Sequence, residues 1–169
     1  MVDISTNQYY IHAMKQTSDT KGGCIAARNA SRQAFMTVMR ELVRAYQAFT
    51  RFDAGLIRGY GLTQAQFDII ATLGNTEGMT FKQIGELTLI TKGTLTGVVD
   101  RLERDGMVRR HAEAADQRST RVRLTAKGER MFEQVFPRHI AALKVRFERL
   151  GAHEMLEAER VLKKLRSLF

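Results

Sequence analysis

With 169 residues, 44% of them hydrophobic, the chain has material for one sizeable core and excludes two large independent domains. Lys and Arg number 27 against 18 Asp and Glu, a formal charge of +9 that favours a polyanionic partner. The single cysteine, Cys24, excludes an intrachain disulfide and a thiolate zinc cage; no apolar run approaches the roughly 20 residues that cross a bilayer, and no signal-peptide pattern opens the chain, so a cytoplasmic protein without a membrane partner is expected.

Residues 1–32 carry one apolar cluster, Tyr9-Tyr10-Ile11, and a Gly22-Gly23 pair suited to a hinge; they read as an N-terminal arm. From Phe35 onward Val38, Met39, Leu42, Val43, Tyr46, Phe49, Leu56 and Ile57 recur every three or four residues, which predicts one long amphipathic helix ending at Gly59-Tyr60-Gly61. Thr63 is placed to cap a second helix through Phe67, Ile70 and Leu73, broken by Gly74 to Gly78. Thr80 starts a short third helix with Phe81, Ile84 and Leu87 on one face. Thr91 caps a fourth, with Leu95, Val98, Val99 and Leu102 inward and Lys92, Thr94, Thr96, Gly97, Arg101 and Arg104 toward solvent. Two short helices, the second polar and basic outside, form a helix-turn-helix whose second helix fits the major groove.

Farther on, Val122 and Leu124 alternate with Arg121 and Arg123, the period-two pattern of a strand with one buried face, and Met107 to His111 supplies its partner. The resulting hairpin holds Arg109, Arg110, Arg118, Arg121 and Arg123 against Glu113 and Asp116, as a wing that meets phosphates would. Phe132, Val135, Phe136, Ile140, Leu143, Phe147 and Leu150 mark another long helix, in which Pro137 predicts a local kink. Leu156, Leu162, Leu165 and Phe169 mark a last helix after Gly151.

The expected fold class is mainly α with a small β-hairpin wing: a winged helix-turn-helix with N- and C-terminal dimerisation helices. Residues 62–125 form the winged DNA-binding domain, and 33–61 with 126–169 the helical dimerisation region. Apolar stripes on the terminal helices need another surface; packing against a second copy would place two recognition helices roughly 34–36 Å apart on a pseudo-palindromic duplex, whereas an intrachain bundle would bury them within one subunit.

These residues resemble the MarR (multiple antibiotic resistance regulator) family. Gly61-Leu62-Thr63 with Gln66 is similar to the family's entry to the second helix. Thr94-Leu95-Thr96, Val99-Asp100-Arg101-Leu102-Glu103 and Gly106 resemble its recognition helix and exit, while Asp116, Arg118, Ser119, Leu124-Thr125 and Gly128 resemble its wing signature. The resemblance implies a homodimeric transcription regulator, usually a repressor, released from its operator by a small, often aromatic and anionic, effector. It also implies an effector pocket between the dimerisation helices and the winged domain, where Arg44, Tyr46 and Phe67 would supply charge and aromatic walls; ordinary core is the alternative for Tyr46 and Phe67.

Within the DNA-binding set, Arg118 at the wing tip suits the narrow minor groove, with Asp116 and Ser119 shaping the turn, and Arg121 adds charge along the ribbon. Lys92, Thr94 and Thr96 offer donors to phosphates and base edges beside Gly97. Arg101 and Arg104 either join them or pair within their own helix, Arg104 with Asp100 or Arg101 with Asp105. No nucleophile elbow, phosphate loop or paired His and carboxylate motif points to an enzyme, and no cofactor is expected. His12, His111, His139 and His153 are scattered without metal-ligand spacing. Competing functions are a DNA-packing or protein-contact winged helix, and a redox-responsive regulator using Cys24.

Overall fold

The computed structural model describes residues 29, 33–113 and 116–169, with the backbone alone for 112–113 and 116–119. Expectations placed on the arm, its Gly22-Gly23 hinge, His12 and Cys24 lie outside the described residues, as do those on the side chains of Glu113, Asp116, Arg118 and Ser119. In chain order the elements are α1 (Ala34–Gly59), α2 (Gln64–Leu73), β1 (Met79–Thr80), α3 (Phe81–Leu87), α4 (Lys92–Arg104), β2 (Val108–Glu113), β3 (Asp116–Leu124), α5 (Ala126–Phe147) and α6 (Ala152–Arg166). The chain divides into two compact units, one ending at Gln47 and one running Ala48–Phe169.

Local chemistry sets most of the boundaries. Thr63 Oγ1 accepts from the Gln66 amide while the Gln66 side chain takes the Thr63 amide, a reciprocal cap that starts α2; Thr80 and Gln83 repeat it at α3. Thr91 occupies the cap position of α4 as expected but makes no side-chain cap bond. Its hydroxyl donates instead to Thr94 Oγ1 at 3.0 Å, so position alone does not guarantee the capping contact. At the far end of α4, Gly106 adopts φ +69° and the Met107 amide bonds back to Leu102, closing the helix and launching β2. Helix α5 runs through Pro137 as a single helix.

The sheet is antiparallel in the order β1-β3-β2. Val108 opposes Leu124 and Arg110 opposes Val122 on one face; Arg109 opposes Arg123 and His111 opposes Arg121 on the other. Strand β1, unforeseen in the sequence, adds Met79 opposite Val122 and Thr80 opposite Arg121. Its two residues are too few for any period to register.

The core lies where α2, α3 and α4 pack on the inner sheet face and on α5. Ile69, Ile70, Leu73, Ile84, Leu95, Val98, Val99, Leu102, Val108 and Val122 are all buried, joined by Leu124, Phe132 and Val135. Two glycines mark where this packing leaves no room: a Cβ on Gly74 would fall 2.3 Å from the Phe132 ring, and one on Gly128 2.1 Å from the Met107 carbonyl oxygen.

Candidate nucleic-acid interface

The seam closed at Gly128 holds recognition helix and hairpin in register. Thr125 Oγ1 donates to the Gly106 carbonyl at 2.6 Å, its amide donates to the Met107 carbonyl at 2.9 Å, and Lys127 Nζ donates to the Asp105 carbonyl at 2.8 Å. The exit of α4 and the start of α5 are therefore stitched together through the root of the hairpin.

Helix α4 divides cleanly into two faces. Leu95, Val98, Val99 and Leu102 are at most 2% exposed, while Lys92, Thr94, Thr96, Gly97, Arg101 and Arg104 all face solvent. A Cβ added at Gly93 or Gly97 would meet nothing within 4 Å, so these glycines leave the outer face low between the threonines. An open groove of about 840 Å³ beside this face is lined by Phe81, Lys82, Ile90, Lys92, Thr96 and Arg110, among others. Leu89, in the turn before α4, is 87% exposed; periodicity had no place for it.

Arginine behaves unevenly on the hairpin. Arg109 is exposed and Arg123 half-buried on the outer sheet face. Arg110 points the other way: its guanidinium pairs with both Asp100 and Glu103 of α4, its backbone amide donates to Glu103 at 3.0 Å, and it lies 5.5 Å from the Phe81 ring centroid. These acids hold the Arg110 guanidinium above its usual range, Asp100 foremost. Counting Arg110 among the phosphate-facing ribbon residues is thus corrected: strand alternation sends it toward the recognition helix. Neither one-turn pair offered for Arg101 and Arg104 occurs among the ion pairs of the described residues; the Asp100 carboxylate that Arg104 would have met is engaged by Arg110. Arg121 donates to the Gly78 carbonyl at 3.0 Å, anchoring β3 to the loop before β1.

The residues named for an effector pocket lie in different settings. Arg44 pairs with Glu41 at 2.7 Å on the surface of α1, and Tyr46, on the same half of that helix, is 49% exposed, so Tyr46 is not core. Phe67, 6% exposed, is core, with its ring centroid 4.5 Å from that of His139 and 6.3 Å from that of Tyr60.

Beside Phe67 the interior holds a polar pair that no sequence pattern announces. Asp53 of α1 and His139 of α5 are each 5% exposed, with His139 Nε2 3.1 Å from Asp53 Oδ1. Gln64 Nε2 donates to Asp53 Oδ2 at 2.9 Å and to Asp68 Oδ1 at 3.2 Å. Burial raises the Asp68 carboxyl above the usual range, its bond from Gln64 opposing and the Asp53 charge reinforcing that shift. The remaining histidines differ: His111 is half-buried on the outer sheet face, and His153 is exposed.

Residues 60–119 match the model of the MarR family. The transcriptional regulator MhqR of Bacillus subtilis (strain 168) is 29% identical over 124 residues, 73% of this chain and 86% of that protein. Among solved structures, the transcriptional regulator PA4135 is 30% identical with a TM-score of 0.66, covering 78% of this chain and 96% of its own. Bordetella bronchiseptica BpsR, whose DNA binding is regulated by 6-hydroxynicotinic acid, is 26% identical with a TM-score of 0.68, covering 81% of this chain and 95% of its own. These relatives are transcriptional regulators and not enzymes, and no helix among the described residues is long and apolar enough to cross a membrane.

Proposed function

Because the chain belongs to the MarR family of DNA-binding transcriptional regulators, we propose that it is a homodimeric, cytoplasmic repressor that acts by binding and not by catalysis. It grips a pseudo-palindromic operator and lets go when a small aromatic, anionic effector binds. The observation that carries this reading is α4, whose apolar face is wholly buried while Lys92, Thr94, Thr96, Arg101 and Arg104 face solvent beside an arginine-bearing hairpin. Lys92 and the arginines meet phosphates; Thr94 and Thr96 reach base edges, and the low surface at Gly97 lets the helix approach the groove floor. Arg118, in the irregular first residues of β3 beside Asp116 and Ser119, reaches into the minor groove, and Arg121 steadies the base of the wing.

Support for the dimer comes from apolar side chains that one copy leaves in solvent: Leu156 and Leu162 on α6 and, on α1, Phe35, Val38 and Leu42. Two copies are needed because each offers one recognition helix. For the effector, BpsR supplies the analogy of a hydroxylated aromatic acid controlling DNA binding.

Titration of operator and random duplexes at several salt concentrations tests the reading, since a repressor keeps a large affinity ratio that a packing protein lacks. Arg118→Ala is expected to weaken operator binding by about 1–3 kcal/mol while leaving the melting temperature unchanged. Equal affinity for operator and random DNA, or an Arg118→Ala protein that binds like the parent, overturns it.

A further inference from the structure

DNA recognition makes no use of the polar cluster at the meeting of α1, α2 and α5. Asp53 and His139 face each other at 3.1 Å inside the core, and Gln64 bridges Asp53 to Asp68. The Phe67 ring lies against the imidazole at 4.5 Å and Tyr60 closes on it edge-on at 6.3 Å. His139 Nδ1 and Asp53 Oδ1 are both buried without a hydrogen-bond partner among the described residues, so the 3.1 Å approach is a close contact of two polar groups and not a formed hydrogen bond. The four members come from three helices: Asp53 from α1, Gln64 and Asp68 from α2, His139 from α5. The titratable groups facing the imidazole are Asp53 from α1, Tyr60 from the turn after it and Asp68 from α2; on α5 the adjacent Arg138 is exposed.

A buried carboxylate and imidazole change character with one proton. With the proton they are an ion pair in a low-dielectric interior; without it, a neutral donor faces a buried charge. Histidine is the side chain whose ordinary titration falls between about pH 5 and 8. Helices α1 and α5 flank the winged region, and α2 leads into α3 and α4, so the cluster joins the framework to the reading head. We propose that Asp53, His139, Gln64 and Asp68 form a proton-sensitive joint, through which proton uptake at His139 alters operator affinity. The proposal rests on the operator-binding reading above and adds a second input beside the effector.

Linkage makes the test direct: if protonation favours one arrangement of the joint, operator binding must take up or release protons there. The full-length chain is titrated with operator duplex from about pH 5.5 to 8 at constant ionic strength, as parent, His139→Gln, Asp53→Asn and His111→Gln. His111 serves as comparator because it opposes Arg121 on the outer sheet face, where its own charge would act on DNA. Affinity is expected to change by about threefold or more across this range in the parent and in His111→Gln, and to flatten in His139→Gln and Asp53→Asn. A parent slope unchanged by His139→Gln, or lost equally in His111→Gln, overturns the joint. Should the His139 variant not fold, the His139 imidazole resonance of the parent is followed with and without operator; titration at one and the same pH in both states overturns it. If no duplex is preferred over random DNA, the operator reading fails. The joint is then judged on the free protein, where protonation of His139 must shift α4 amide resonances together with those of α1 and α5.

Discussion

Helices α4 and α6 are both amphipathic, yet they spend their apolar faces differently. In α4, Leu95, Val98, Val99 and Leu102 disappear into a core built by α2, α3, the hairpin and α5, whereas in α6 Met155, Leu156, Val161 and Leu162 remain 39–65% exposed. The same pattern that makes a finished core around α4 leaves a surface still to be covered on α6. The winged region buries its apolar faces within one chain; α6 leaves its own exposed, the face that the second copy proposed above would cover.

The largest expected effect comes from attacking the finished side. Leu102→Ala should destabilise the protein by about 2–5 kcal/mol, seen as a lower urea midpoint, because close packing around a fully buried leucine collapses only partly onto the space left. A loss below about 0.5 kcal/mol would contradict the packing described here. On the unfinished side, Leu156→Glu with Leu162→Glu should leave the urea midpoint close to that of the parent. Light scattering should then report a monomer, with operator affinity down on the order of 100-fold, near 2.7 kcal/mol. A dimer that survives both charges would move the interface elsewhere.

Smaller effects sharpen the boundary between scaffold and DNA contact. Arg110→Ala should cost about 1–2 kcal/mol of stability, since it leaves Asp100 and Glu103 facing one another without their shared cation. The salt dependence of operator binding should keep its slope; a slope reduced by about one would make Arg110 a phosphate contact after all.

The smallest effect concerns Asp68. Its carboxyl is raised in the folded protein, so the native state holds that proton more readily than the unfolded chain. Asp68 therefore contributes stability that is present below the unfolded carboxylate range and is lost as pH rises through the elevated folded value. Asp68→Asn should consequently melt slightly higher than the parent at neutral pH, a small gain because solvent screens this half-exposed site, and the gain should shrink as the solution is acidified. A gain independent of pH would assign the effect to hydrogen bonding with Gln64 instead.

What was legible in the sequence is what is encoded within a few residues. Helix faces, the caps at Thr63 and Thr80, the left-handed exit at Gly61 and the alternation of Val122 and Leu124 all depend on neighbours at most one or two turns away. The hairpin pairing followed because its two strands lie next to one another in the sequence. Long-range contacts were not legible, since no local period records them. Arg110 was one arginine in a basic run until strand register turned it toward Asp100 and Glu103. Strand β1 exists because β3 was there to pair with two residues of a loop. Asp53 and His139 showed only two scattered polar positions on long amphipathic helices, and packing of α1 against α5 alone brought them within 3.1 Å. Gly74 and Gly128 could be read as helix breakers, but their need for a missing Cβ came from the Phe132 ring and the Met107 carbonyl, placed by the tertiary fold. Sequence decided which faces are apolar; close packing decided which charges were buried with them.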